Sequence, residues 1–374
     1  MLGWRNGIRE GLKILWPQGR VGPSPTPSTM NELVFRELGE DENFDPLSIN
    51  KRVYFTQSET YGKWQKSAGR KVRRFVGTAG NDNVIFFQMI VFPLTQKKNY
   101  IYIPYGPVWN NIQEKTISNL RDKIKKITKE EEAVFARLDF TPQVAEEKNL
   151  KKYFKRSRKS TYHSAAFQPR TEWFLDLHKP EENILKEMKG NGRYSVNLAI
   201  RKGVKAEIIR DNLSHYLDTF YSLSEETAKR DGFKLHDKSY YKSIFDLADK
   251  EKNAFLSIAK YDGKIVVMDF IFMFGGIGNY VFGSSSSEFR NLMPTYLAQW
   301  TAIQESRKLG CQNYNFGGIA TEKNKKIYKG WEGLSFFKRK FGGFEVDHSD
   351  FYDFVGDGFL YFLYNFRKSL KQIF

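Results

Sequence analysis

The sequence predicts an α/β fold built from two similar modules in tandem. An aromatic strand at residues 100–103 is followed by a charged helix and a second strand at residues 134–140. The same order recurs with a strand at residues 280–282, a helix that starts near Pro294 and a strand at residues 314–316. Each copy follows a predicted hairpin, so each forms a separate module. Two such modules leave a cleft between them, and ligands favour clefts of this kind.

The first module is predicted to begin with a short helix that carries Tyr61 and Trp64. A hairpin follows over residues 72–92, because the turn residues Gly80-Asn81-Asp82 precede a β-branched and aromatic run. Four apolar residues then recur at helical spacing and mark the helix between the two strands of the first copy, namely Ile117, Leu120, Ile124 and Ile127.

The second module is predicted to begin with a strand at residues 173–177. A helix follows Pro180, which suits the first turn of a helix. Another is expected between Asn212, a favourable N-cap, and Gly232, a typical C-terminal residue. A strand pair over residues 255–274 surrounds an Asp-Gly turn, which is typical of a hairpin.

Length and composition set the domain organisation. The chain has 374 residues and is 40% hydrophobic, with 32 Phe and 20 Tyr, which suffices for two domains with real cores. We predict a first domain over residues 30–167 plus 345–374 and a second over residues 168–344. The single cysteine, Cys311, excludes a disulfide framework and fits a reducing cytosol. The five histidines lack metal-binding spacing, so bound zinc is not expected.

The net charge of +17 indicates a polyanionic partner. Two basic clusters, within residues 63–74 and 151–159, strengthen this interpretation, whose alternative is a basic surface that serves solubility alone.

No stretch of 18 apolar residues exists, so a transmembrane helix is not expected. Residues 1–29 are predicted to be a disordered leader or a mis-called start. The chain ends in a basic helix with an apolar stripe that includes Phe359, Leu363 and Phe366. That stripe suits a domain core or an interfacial contact with the inner membrane surface. We therefore expect a cytoplasmic protein and leave open a peripheral contact with the membrane.

The order of hairpin, strand, helix and strand resembles the acetyltransferase-like (GNAT) core, which implies two tandem GNAT-like domains. Such folds usually bind acyl-CoA through a glycine-containing loop at the start of the long helix. Here that helix starts at Asn291-Leu292-Met293-Pro294 without such a loop, which disfavours CoA.

Two such modules without a CoA loop resemble the FemABX peptidyltransferases of bacterial cell-wall synthesis. The motifs lie in the family's order between Phe55 and Phe344. They are Phe55-Thr56-Gln57-Ser58, Tyr105-Gly106-Pro107-Val108, Gln168-Pro169-Arg170-Thr171, Arg230-Asp231-Gly232-Phe233, Asn315-Phe316-Gly317-Gly318 and Gly333-Leu334-Ser335-Phe336-Phe337-Lys338. No heptad run occupies residues 205–255, so the chain resembles the compact members that lack a coiled-coil arm.

The resemblance implies an aminoacyltransferase that moves an amino acid from aminoacyl-tRNA to an amine of a UDP-linked or lipid-linked muropeptide. The enzyme would act as a monomer. The reaction is ester aminolysis, which requires no cofactor. A cation stabilises the tetrahedral oxyanion, and losing one such donor typically costs about 3–4 kcal/mol.

Two catalytic residues are implied by the match to the family. Lys338 matches the family's lysine at the oxyanion, and its alternative is a lysine that snorkels from a strand end. Asp139 aligns with an acidic residue proposed to accept the proton of the attacking amine. Its alternative is a carboxylate that caps a loop.

Five further residues are implied to bind substrate. Lys63 and Arg230 match cations that hold a diphosphate in the compact members. Lys66 competes with Lys63 for that alignment, and Arg230 can instead stabilise its helix C-terminus. The remaining matches are Tyr105, Tyr280 and Phe337. For Tyr280 the alternative is a buried tyrosine of the core.

Two alternative functions stay open at the level of sequence. One is a non-enzymatic RNA-binding protein that uses the same basic surfaces. The other is a GNAT-like N-acyltransferase that acts on a different amine, because a fold does not determine function.

Overall fold

A computed structural model describes residues 33–110, 113–141, 150–157, 168–325, 328–348 and 350–370. The predicted leader at residues 1–29 lies outside these ranges, as do Arg158 and Lys159 of the second basic cluster.

Two mixed β-sheets and the helices packed on them make up the described chain. The earlier strands are β1 (Val34–Glu37), β2 (Lys71–Ala79), β3 (Asp82–Pro93), β4 (Asn99–Ile103), β5 (Val108–Trp109), β6 (Ala133–Leu138) and β7 (Lys155–Arg156). The later strands are β8 (Thr171–Asp176), β9 (Lys205–Ile209), β10 (Ala254–Tyr261), β11 (Lys264–Phe274), β12 (Ile277–Ser285), β13 (Asn313–Gly318), β14 (Phe344–Asp347) and β15 (Tyr352–Val355). The α-helices are α1 (Glu59–Ser67), α2 (Glu114–Glu130), α3 (Leu150–Tyr153), α4 (Glu181–Glu187), α5 (Gly190–Arg201), α6 (Leu217–Asp231), α7 (Lys238–Glu251), α8 (Pro294–Lys308), α9 (Glu332–Arg339) and α10 (Gly358–Leu370).

The first sheet has eight strands, in the order β1-β2-β3-β4-β6-β15-β7 with β5 paired to β3. Helix α2 covers one face, because its predicted apolar stripe is fully buried against strand residues such as Phe75 and Phe87. The second sheet has seven strands in the order β14-β8-β13-β12-β11-β10-β9. Helix α8 packs on it with Leu297 and Trp300 facing inward.

The two modules repeat one topology, as the sequence predicts. The hairpin β2-β3 leads into β4, and β4 runs parallel to β6 after the crossover through α2. Likewise the hairpin β10-β11 leads into β12, and β12 runs parallel to β13 after the crossover through α8. The prediction of tandem GNAT-like domains is confirmed.

The C-terminal segment joins both sheets. Strand β14 pairs with β8 in the second sheet, whereas β15 pairs with β6 in the first. The predicted domain boundary at residue 345 therefore falls inside β14, and the chain returns to the first module between Asp347 and Tyr352.

Residues 205–255 form two short helices, α6 and α7, rather than a protruding arm. Both pack on the second sheet, where Phe220 and Phe245 lie in contact with ring centroids 5.2 Å apart. Asn212 does not act as the predicted N-cap. It adopts a left-handed φ of 55° before a single 3-10 turn, and α6 begins only at Leu217.

Among the described residues, no helix combines the length and apolar character needed to cross a bilayer. The same part of the chain contains no group of three or more His, Cys, Asp or Glu side chains that could hold a metal ion.

Candidate active site

A cleft with a volume of about 1340 Å³ lies where the two modules meet. The first module contributes α1 and the end of β3, including Trp64 and Phe92. The second contributes β12, β13 and α9. Aromatic contacts join the walls, because the Trp64 ring lies 5.8 Å from both Tyr240 and Phe282.

The cleft opens in the second module because two parallel strands separate there. Strands β12 and β13 pair only where Ile277–Asn279 of β12 lie opposite Asn313–Asn315 of β13. Beyond that point β12 stays with β11, and the residues after Asn279 and Asn315 line the cleft. In the first module β4 and β6 remain paired up to Ile103 and Leu138, so no equivalent opening forms.

Lys338 lies beside the separated end of β13. It belongs to helix α9 rather than to a strand end, and only 5% of it is exposed. Its Nζ donates to the Gly318 carbonyl at 2.7 Å. Burial lowers the pKa of the Lys338 ammonium to about 7, against the opposing effect of the Glu172 carboxylate.

Glu172 is held in place by two neighbours. Its carboxylate accepts from Asn315 Nδ2 at 3.1 Å and pairs with His348 Nε2 at 2.8 Å. Asn315 Oδ1 in turn accepts the Gly317 amide at 2.7 Å, and Gly317 adopts a φ of 75° that favours glycine. This network fixes the backbone turn that Lys338 contacts.

Tyr280 lies on β12 beside a β-bulge, and its hydroxyl meets the buried carboxyl of Asp269 on β11. A Cβ at Gly283 would lie 1.8 Å from that hydroxyl, so the glycine is what lets the tyrosine reach Asp269. Gln299 Nε2 donates to Asp269 at 2.8 Å. Burial raises the pKa of Asp269 to about 8, so this carboxyl is mostly protonated at neutral pH.

Phe337 and Arg230 also line the cleft. Phe337 packs edge-on against Tyr296, with the ring centroids 4.9 Å apart. Arg230 lies in the last turn of α6 and pairs with its neighbour Asp231 at 2.8 Å. It also donates to the Ser285 carbonyl at 2.9 Å, so it joins that helix to the end of β12.

Lys63 lies away from the cleft lining. Its ammonium pairs with Glu59 at 2.9 Å and with Glu251 at 2.8 Å, which joins α1 to α7 across the modules. The rival cation, Lys66, pairs with Glu40. The cation that α1 and β2 bring to the cleft is Arg70, which stacks over Phe92 at 5.0 Å.

Tyr105 and Asp139 lie in the buried contact between the modules and do not line the cleft. The Tyr105 hydroxyl donates to the Pro169 carbonyl at 2.8 Å. Asp139 accepts from Tyr102 at 3.0 Å and pairs with Arg170 at 3.4 Å. Burial raises the pKa of Asp139 to about 6, while Arg170 opposes the change. Asp139 thus lies outside the cleft lining that contains Lys338, although the sequence analysis implied that both residues are catalytic, Lys338 at the oxyanion and Asp139 at the proton of the amine.

Sequence reasoning missed Asp269, Glu172 and Arg70. Asp269 carried a usable signal, because it is a charged residue inside the otherwise apolar run 265–274. Glu172 and Arg70 carried none that separates them from the surrounding charged residues.

The fold is that of the tandem acetyltransferase-like proteins. In this protein the cleft opens between β12 and β13 of the second domain. The crystal structure of FemX aligns with a TM-score of 0.75 at 20% identity, covering 88% of this chain and 100% of that chain. A tandem GNAT protein from the clavulanic acid biosynthesis pathway aligns with a TM-score of 0.50 at 10% identity, covering 87% of this chain and 99% of that chain.

The sequence model of the FemAB family matches residues 157–264 and 248–366. Because these segments span more than half of the chain, the protein belongs to the FemAB family. The lipid II:glycine glycyltransferase of Staphylococcus saprophyticus is 24% identical over 375 residues, with 80% of this chain and 88% of the relative covered. The protein of the same name from Staphylococcus aureus (strain USA300) is 24% identical over 376 residues, with 78% and 86% covered.

Proposed function

We propose that the protein is an aminoacyltransferase that moves an amino acid from aminoacyl-tRNA to an amine of a muropeptide. The observation that carries this proposal is the buried Lys338 at the point where β12 and β13 separate, in a chain of the FemAB family. The names of the relatives, lipid II:glycine glycyltransferases, favour a lipid-linked acceptor and make glycine the first amino acid to test.

The donor is proposed to be charged tRNA rather than acyl-CoA. Helix α8, which follows the opened strand, has Pro294 at its first position, and proline provides no N–H for a phosphate. Residues 284–293 before it contain no glycine that would let the backbone approach a pyrophosphate. The net charge of +17 suits a polyanionic donor.

In the proposed reaction, the neutral acceptor amine attacks the ester carbonyl, an N–C bond forms and the C–O bond to the tRNA ribose breaks. The proton lost by the amine ends on the departing ribose hydroxyl. The Lys338 ammonium donates to the tetrahedral oxyanion. It has three N–H donors, and its one hydrogen-bond partner among the described residues is the Gly318 carbonyl.

Tyr280 and Asp269 are proposed to orient the acceptor. The protonated Asp269 keeps the Tyr280 hydroxyl in the cleft wall without placing a negative charge near the oxyanion. Phe337 and Tyr296 supply an apolar surface beside it.

The test is incubation of the full chain with mixed charged tRNAs and a UDP-linked muropentapeptide, with a parallel arm that contains the lipid-linked form. Mass spectrometry of the acceptor should show a gain of one amino acid residue. Acylation that uses acetyl-CoA without tRNA would support the N-acyltransferase alternative. Tight, salt-sensitive tRNA binding with no mass gain would support the RNA-binding alternative.

The phosphates of the acceptor are proposed to bind between Arg230 of the second module and a cation of the first. Arg230→Ala should raise the apparent acceptor constant about tenfold, as expected from losing one charge-assisted hydrogen bond of ~1.5 kcal/mol. Arg70→Ala should raise the apparent acceptor constant by a similar factor, because Arg70 also lines the cleft. Steady-state kinetics with the UDP-linked acceptor measures both.

Lys63→Ala distinguishes the two candidate cations of the first module. Because Lys63 lies outside the cleft lining and pairs with two glutamates, this variant should leave the acceptor constant unchanged. A tenfold rise with Lys63→Ala and none with Arg70→Ala would return the role to Lys63. An acceptor that lacks the nucleotide is the control and should be indifferent to all three substitutions.

A further inference from the structure

Helix α10 has two apolar faces, of which only one is packed. On the inner face, the rings of Tyr361 and Tyr364 contact Phe135 at centroid distances of 5.5 and 5.0 Å. The outer face carries four large side chains at helical spacing. Their exposed fractions are 70% for Phe359, 54% for Phe362, 42% for Leu363 and 52% for Phe366.

These four side chains form a continuous exposed stripe, which we call the outer stripe. Phe362 and Phe366 stack on each other with their centroids 6.1 Å apart. Single exposed hydrophobic residues are ordinary on a protein surface, but a contiguous group marks a contact surface. The outer stripe therefore requires an occupant.

Cations lie around α10. Arg367 is exposed in the last turn of the helix, and Lys155 Nζ lies 5.4 Å from the ring of Tyr361, on the inner face. Lys155 belongs to the basic segment 151–156, which this contact places next to α10. In that segment Lys152 and Arg156 pair with Glu114 and Asp350, while Lys151 and Lys155 are exposed.

An anionic lipid surface matches this combination. A helix that lies in a membrane interface inserts aromatic and leucine side chains and keeps cations at the level of the headgroups. A second copy of the chain matches it less well, because each copy carries a net charge of +17 and two copies repel each other.

We propose that the outer stripe of α10 docks the protein on the surface of an anionic bilayer, with Arg367 at the level of the lipid phosphates and the exposed Lys151 and Lys155 adding to the electrostatic attraction. This inference rests on the proposed function insofar as a lipid-linked acceptor requires the enzyme to work at a membrane.

Co-sedimentation with vesicles tests the proposal on the full chain. The protein should bind vesicles that contain phosphatidylglycerol, bind pure phosphatidylcholine vesicles much more weakly, and release from the anionic vesicles as salt rises. Phe362→Ser/Phe366→Ser should lower the partition constant at least about tenfold, because two apolar side chains no longer insert. The matched control is Tyr194→Ser/Ile200→Ser, which removes two exposed apolar side chains from α5 and should bind as the wild type does.

Activity with a soluble UDP-linked acceptor separates this proposal from the proposed function. The outer stripe is not part of the cleft lining, so Phe362→Ser/Phe366→Ser should keep the wild-type rate in that assay. A wild-type protein that binds vesicles but transfers no amino acid would leave docking standing and overturn the function. Active wild-type protein that ignores anionic vesicles would overturn docking. A wild-type dimer that dissociates in the double variant would also overturn it, since the occupant would then be a second copy.

Discussion

Replacing Lys338 with methionine is expected to lower the single-turnover rate of aminoacyl transfer by about two to three orders of magnitude. The ammonium group is buried beside the opened end of β13, where a positive charge acts on an oxyanion with little screening by water. The acceptor constant should change little, because the interaction exists in the transition state rather than in the bound ground state. Single-turnover kinetics with preloaded charged tRNA measures the rate.

Lys329→Met is the matched control, since Lys329 is an exposed lysine shortly before α9. It should keep the wild-type rate. A Lys338→Met protein with a normal rate but weak acceptor binding would instead assign Lys338 to substrate anchoring.

The same lysine should impose a pH dependence on activity and stability. Its charge is present below about pH 7 and is lost as the pH rises through that value, so its help to the oxyanion should fade on the alkaline side. In the unfolded chain a lysine stays protonated to about pH 10.4. The unfolded state therefore binds more protons between these values, and the wild type gains stability as the pH rises through this window.

Lys338→Met removes this buried charge and should be more stable than the wild type, most clearly below pH 7. A gain of ~1 kcal/mol corresponds to about 2–4 °C in the melting temperature of a domain of 150–250 residues. Loss of activity together with raised stability would show that Lys338 serves the reaction and not the stability of the fold. A variant that melts lower than the wild type at pH 6 would contradict the assignment.

The tandem topology was predictable because it depends on local patterns. Aromatic and β-branched runs, turn residues and helical spacing each lie within a few residues, and both copies show the same order. Lys338, Phe337, Tyr280 and Arg230 were found through motifs whose order resembles the family, and the structure brings all four to one cleft.

Other features depend on contacts between residues that are far apart in sequence. Lys63 and Arg70 are both cations near one helix, and only the position of Glu251 shows which of them is neutralised by the second module. Asp139 directly follows β6, a position typical of catalytic carboxylates, but Arg170 and Tyr102 contact it there. The opening between β12 and β13 depends on where their pairing stops, after Asn279 and Asn315. The composition of the strands does not specify this register.

The largest loss of stability is expected from Arg137→Met. The Arg137 guanidinium is fully buried and donates to both carboxylate oxygens of Asp353 at 2.7 Å. Ser157 accepts from the same guanidinium at 2.6 Å, and the Tyr361 hydroxyl donates to Asp353 at 2.7 Å. This cluster joins β6, β15 and α10, so it attaches the C-terminal segment to the first module.

Removing the arginine leaves Asp353 as a buried carboxylate without its counter-charge, which should cost about 3–5 kcal/mol in the free energy of unfolding. Arg137→Met/Asp353→Leu should regain much of that loss, because neither member then leaves a charge behind. The exposed pair Lys238–Asp218 is the control, and Lys238→Ala should cost at most ~1 kcal/mol. Denaturant unfolding of the wild type, Arg137→Met, Asp353→Leu, the double variant and Lys238→Ala measures these differences. If the double variant is as unstable as the two single losses added together, the cost arises from packing and not from the isolated charge.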